Sequence, residues 1–141
     1  MARLDADLVA ALDELRADGA WAHVATVSPD GSPHVTPMLL GRTDEHLLLS
    51  LTGAHKRRNL RADPRVSISL ARTGDLAHVV VWGAAVLRDD AEAQQLYEAM
   101  LHAELGPTAA AAMRQPLSPQ TTMLAVVEVL RHRVHGMDAP T

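Results

Sequence analysis

The chain has 141 residues, 48% hydrophobic and 21% charged, which suits one globular domain over 1–141 with an ordinary core and argues against disorder. The formal charge of −4 and the scarcity of aromatics (Trp21, Trp82 and Tyr97, with no phenylalanine) argue against a nucleic-acid binder, which needs a basic face or stacking platforms. Cysteine is absent, so disulfides, thiolate nucleophiles, iron–sulfur clusters and cysteine zinc sites are excluded.

Residues 4–17 carry Leu4, Leu8, Ala11, Leu12 and Leu15 near a 3.6-residue period and predict a helix stopped at Asp18-Gly19. Four acids by Glu14 make the start unlike a secretory signal. No apolar run approaches the roughly 20 residues of a membrane span, so the expected location is the cytoplasm. Strands are predicted over 21–28 and 33–40, joined by Pro29-Asp30-Gly31-Ser32, a run with turn chemistry at each position. Pro37 inside the second strand implies an edge, a bulge or a special site. Gly41 to Glu45 reads as another turn before a third strand, 46–52.

A short helix is expected over 54–62, closed by Asp63-Pro64, followed by an alternating strand, 65–71. Residues 77–88 read as a long strand in which Gly83 marks a bulge or a close backbone approach. A helix over 89–105 stops before Gly106-Pro107. The alanines at 109–112 suit a short helical turn, and 122–134 completes the set as a strand. Six strands joined by tight turns predict a largely antiparallel small barrel with flanking helices, its remaining edge hidden by dimerisation.

Familiar catalytic patterns are missing. The eight histidines show no HxxxH spacing, and the three-residue offset of His132 and His135 on a strand sends them to opposite faces, so no metal site is expected. There is no GxSxG elbow, and Asp89-Asp90 is explained by helix capping.

The informative stretch is SLTGAHKRRNLRADPR (50–65). A strand ending in Ser50 and Thr52 meets a glycine bend and then a helix that opens on His55, Lys56, Arg57 and Arg58. Free N–H groups and the positive end of the dipole make a helix start suited to a phosphate or other anion, with Lys56 on its first turn. A basic run is otherwise a solvated helix face, but the dipole disfavours cations at this end. The spacing is not that of a Walker A loop. Lys56 is the one lysine in a chain that uses arginine twelve times.

These residues resemble the split-barrel flavoproteins, the pyridoxamine-phosphate-oxidase-like superfamily with its F420-dependent relatives. The matching pieces are AHVATVSPDGSPHVTPM (22–38), LLLSLT (47–52) and HKRRNLRADPRVSISL (55–70), with K-x-x-N-L-x-x-D-P-R-V over 56–66 the most specific. The likeness extends to about residue 88 and returns in the closing strand at Arg133 to Gly136; 89–120 has no counterpart.

The resemblance implies a mainly β, six-stranded antiparallel split barrel with flanking helices. It also implies a homodimer with FMN or F420 in a groove between the subunits. Lys56 would hold the cofactor phosphate, helped by Ser50, Thr52, His55, Arg57 and Asn59. Thr36, Pro37 and Met38 would run beside the ring, and Trp82 of the other subunit would close the groove. The implied activity is hydride transfer to a small conjugated or heteroaromatic substrate, with no obligatory side-chain acid or base. The alternative is a module that holds a flavin, deazaflavin or haem-type ligand without turnover. The vitamin B6 oxidases have arginine where His55 stands and a basic strand where TPMLLGR (36–42) is apolar, which points to the F420 or FMN branch. Arg57, Arg58 and Arg61 would suit the acidic tail of F420. A bulky aromatic usual after 36–38 is replaced by Leu39 and Leu40.

Overall fold

The structure, a computed structural model, describes residues 2–137. The elements in chain order are α1 (Ala6–Ala17), β1 (Ala22–Val27), β2 (Pro33–Met38), β3 (Gly41–Arg42), β4 (Leu47–Leu51), α2 (Ala54–Ala62), β5 (Arg65–Ala71), β6 (His78–Arg88), α3 (Ala91–Met113) and β7 (Met123–His135). The seven strands form one sheet in the order β2-β1-β5-β6-β7-β4-β3, antiparallel throughout.

The sheet curls around an aliphatic core. Val24, Ile68, Leu70, Val79, Val81, Ala125 and Val127 pack in one cluster with Leu47, Leu49 and Leu51 from the far end of the strand order. The expected face of α1 (Leu8, Ala11, Leu12 and Leu15) closes this core, and Leu60 of α2 enters it as well. A second, smaller core lies on the other side of β4 and β7. There Leu48 and Leu124 meet Ala93, Tyr97, Met100 and Leu101 of α3. This is the curled antiparallel sheet with flanking helices expected of a split barrel.

The Asp30-Gly31 turn joins β1 to β2 as expected. Gly31 sits at φ 87°, where L side chains are strained, and Asp30 Oδ1 accepts from the Ser32 amide at 3.0 Å. The register runs from Ala22 opposite Met38 to Val27 opposite Pro33. β2 ends the strand order, so Pro37 lies on an edge, where its missing N–H leaves no ladder bond unmade. The β6–β7 register shifts between Trp82 and Gly83, and Leu130, the extra residue, is 64% exposed.

One expectation needs correction. The sheet has seven strands rather than six, because Gly41–Arg42 pairs with Leu47 and Leu48 inside the segment read as a turn. The Thr43 hydroxyl accepts from the Glu45 and His46 amides, so the turn is real but shorter. The helix that begins at Ala91 breaks at Gly106 as expected, and a second helical stretch follows it within α3. Gly106 takes φ 81°, ψ 168°, the axis kinks, and Pro107 opens a further helical stretch to Met113. Proline suits that first turn, where its N–H is not needed.

Candidate functional site

The site is built where α2 lies over the β1–β2 hairpin. Gly53 is the N-cap of α2 and offers no side chain to the helix start. The Lys56 side chain turns back over that end. Its Nζ donates to Thr36 Oγ1 of β2 at 3.2 Å and lies 3.5 Å from the place a Cβ on Gly53 would occupy. Loss of water around it pushes the Lys56 ammonium below the usual lysine range.

One residue earlier, the His55 ring stacks on the His34 ring of β2, centroids 4.1 Å apart and planes at 24°. His55 Nε2 is 3.2 Å from Ser28 Oγ. His34 and Thr36 share a face of β2, so consecutive residues of the helix meet alternate residues of the strand. The His55 imidazole is lowered from its ordinary value by desolvation, then by His34, Arg58 and Lys56, with Asp30 opposing. His34 Nδ1 is buried and has no hydrogen-bond partner among the described residues.

The other expected residues are dispersed around this group. Asn59 is fully buried; Nδ2 donates to Thr26 Oγ1 at 3.0 Å, and Oδ1 lacks a partner among the described residues. Ser50 lies half-buried in β4 opposite Leu124. Thr52 is exposed, its hydroxyl 3.4 Å from Thr122 Oγ1. Met38 is in the core. Pro37 and Trp82 lie on the outer sheet face, where Pro37 pairs with His23, and the Arg131 guanidinium sits 4.2 Å from the Trp82 ring centre.

Arg57 departs most from expectation. Only 7% exposed, it donates to the carbonyls of Leu51 (3.3 Å), Thr52, Thr121 and Gln120 (3.1 Å), and so ties α2 to the loop before β7. Arg61, one turn on, donates to Pro119 O at 2.7 Å. Of the three arginines assigned to an acidic tail, Arg58 is the one that stays exposed without such a bond among the described residues. Ser28 and His34 were not anticipated. The signal available was the two-residue spacing of His34 and Thr36 on a strand facing the helix.

Elsewhere, His132 of β7 lies between carboxylates at the start of α1. Nδ1 is 3.7 Å from Asp5 Oδ2 and Nε2 is 3.4 Å from Asp7 Oδ2. This contact clasps the first helix to the sheet. Among the described residues no helix is long and apolar enough to cross a membrane.

The α2 end suits an anion. A desolvated ammonium, whose one hydrogen bond among the described residues goes to a neutral hydroxyl, stands beside the uncapped N–H groups of a nine-residue helix. Glycine at 53 leaves the approach open. An anion placed there would meet both positive groups at once.

Comparison with known proteins agrees with the architecture. A conserved hypothetical protein from Mycobacterium tuberculosis, Rv2991, superposes with a TM-score of 0.72 at 24% identity, over 94% of this chain and 85% of that one. A putative pyridoxamine 5'-phosphate oxidase from Listeria innocua gives 0.69 at 15% identity, over 93% and 97% of the two chains. An F420 reductase gives 0.63 at 24% identity, over 81% and 89%. Among curated proteins none matches. Residues 8–136, nearly the whole chain, match the pyridoxamine 5'-phosphate oxidase family, and with its curled antiparallel sheet the chain belongs to that family.

Proposed function

We propose that this chain is an FMN- or F420-dependent oxidoreductase that holds the cofactor phosphate at the start of α2. The Lys56–Thr36 pair beside Gly53 carries the reading. When bound, such a cofactor supplies the hydride carrier. Lys56 neutralises phosphate charge, Thr36 fixes the ammonium by accepting a hydrogen bond from it, and the amides at the α2 end donate to the remaining phosphate oxygens. The protein's part is position and exclusion of water, with a small conjugated or heteroaromatic compound as acceptor.

Lys56→Ala is expected to weaken FMN and F420 binding by about 1.5–3 kcal/mol, the scale of a charge-assisted hydrogen bond, or about 10- to 150-fold. Lys56→Arg recovers only part of this, because the planar guanidinium is wider than an ammonium. Fluorescence titration beside thermal melting checks it. Unchanged affinity in Lys56→Ala overturns the placement, and tight binding without turnover towards any acceptor identifies a ligand-holding module instead.

The reading includes a homodimer. The outer sheet face carries Val35, Trp82 and Val86 with the bulged Leu130; Val35 and Val86 are each 63% exposed. The strand registers run Val35–Ala25–Ser67–Trp82–Arg131 across five strands, so Val35, Trp82 and Val86 share one face. A second copy is the occupant that the family fold and a groove shared between subunits call for. Light scattering at micromolar concentration should give twice the chain mass of 15.1 kDa, and a monomer there removes the shared groove.

A further inference from the structure

We propose that the stacked His34–His55 pair is a proton-accepting second half of the anion cradle, which lets the site distinguish phosphate monoesters from phosphodiesters. The inference rests on the phosphate reading above and deepens it. The pair stands beside Lys56 by construction. His55 precedes Lys56 on α2, and His34 shares a strand face with Thr36, the hydroxyl that holds the lysine. The four side chains make two parallel contacts between α2 and β2.

Charge matching gives the discrimination. With both imidazoles neutral, the cradle offers one full positive charge, Lys56, and the helix end. That matches a phosphodiester, which carries one negative charge and has no second ionisation. A terminal monoester such as that of FMN carries nearly two negative charges at neutral pH. Its second charge is balanced if the pair takes a proton from solvent onto an imidazole nitrogen. The rings are 4.1 Å apart, so two protons would place like charges in contact, and the pair accepts one.

The groups facing His55 act in the required direction. Loss of water around the ring, then His34 of β2 and Arg58 and Lys56 of α2, disfavour a charge on it; Asp30 of the turn opposes them, and Ser28 contributes a neutral hydroxyl. An incoming dianion reverses that balance. The buried, unpartnered Nδ1 of His34 also stands ready for a hydrogen bond that nothing among the described residues makes.

The test is calorimetric titration of the whole protein with FMN and with F420 at pH 7.5, each in two buffers of different ionisation enthalpy. NMR of the histidine ring protons and of the FMN phosphorus runs alongside. FMN should bind with uptake of about one proton, its affinity falling about tenfold per pH unit above neutrality. Its phosphorus should stay at the dianion position while the His55 signals move to imidazolium values. F420, a phosphodiester, should bind without uptake. His55→Asn, an exposed position whose folding is checked by melting, should abolish uptake and flatten the FMN pH profile.

FMN binding without proton uptake, or uptake that survives in His55→Asn, overturns the inference and leaves the phosphate cradle standing. Failure of FMN, F420 and methyl phosphate all to perturb Lys56 and its neighbours overturns the cradle itself.

Discussion

Arg57→Ala is expected to destabilise the fold by about 3–4 kcal/mol, well beyond an ordinary surface change. The Arg57 guanidinium is buried and reaches four carbonyls, those of Leu51, Thr52, Gln120 and Thr121, which belong to segments far apart in sequence. Alanine would leave these carbonyls short of a donor, the Leu51 oxygen in a buried bond and the other three in part-buried ones, at about 1–3 kcal/mol for each that stays unsatisfied. Partial opening of the 118–122 loop to solvent limits the total. Arg57→Lys should recover less than half, since one ammonium cannot span acceptors on both sides of the loop. Arg61→Ala is the control. It loses one exposed bond to Pro119 O and should cost under about 1 kcal/mol. Urea denaturation of the three variants decides, and an Arg57→Ala midpoint close to wild type shows that the loop is held by other contacts.

Arg57 and Arg61 also show where reading the sequence stopped short. They are four residues apart on a helix and therefore share a face, and that face meets the carbonyls of 119–121. Lys56 is rotated about 100° from Arg57, so it turns towards Thr36 instead. The three consecutive basic residues do not all face one anion, because Arg57 is taken up by backbone carbonyls while Lys56 meets Thr36. Which face would meet the loop before β7 required the tertiary fold, because the two segments lie more than 60 residues apart.

Element bounds came through where the chain carries its own punctuation. α2 and β5 begin and end at the expected residues because Gly53 and Asp63-Pro64 mark their limits. β3 was lost because a two-residue ladder has no alternation to detect, and its neighbours Thr43 to Glu45 have true turn chemistry. α3 breaks where expected, at Gly106-Pro107, because Gly-Pro stops one helix and can start another. In the site, Lys56 was marked by its uniqueness and by the helix start. Ser28 carries no local signal, and His34 only its two-residue spacing from Thr36. They reach His55 only because the β1–β2 hairpin folds beneath α2.

Gly83→Ala is expected to cost about 2–4 kcal/mol, a large effect for one methyl group. The reason is space rather than backbone conformation. A Cβ at 83 would fall 2.6 Å from Glu128 O and 2.7 Å from Val127 Cγ1. The carbonyl belongs to the β7 backbone and cannot retreat without loosening the β6–β7 ladder, the longest in the sheet. Gly83 lies at the register shift, where β7 carries the extra Leu130 and bends towards β6. Gly→Ala at the exposed turn Gly74 gives the comparison. That position has φ 108° and nothing within 4 Å, so its penalty is conformational and about 1–2 kcal/mol. Neighbouring Trp82 reports the difference, because its ring faces outward beneath Arg131 and its emission follows any shift of the bulge. Gly83→Ala should lower the denaturation midpoint more than Gly74→Ala and change native Trp82 emission, whereas Gly74→Ala should leave emission unchanged. Equal penalties at the two glycines would mean that β7 yields at the bulge and that close approach is not what selects glycine there.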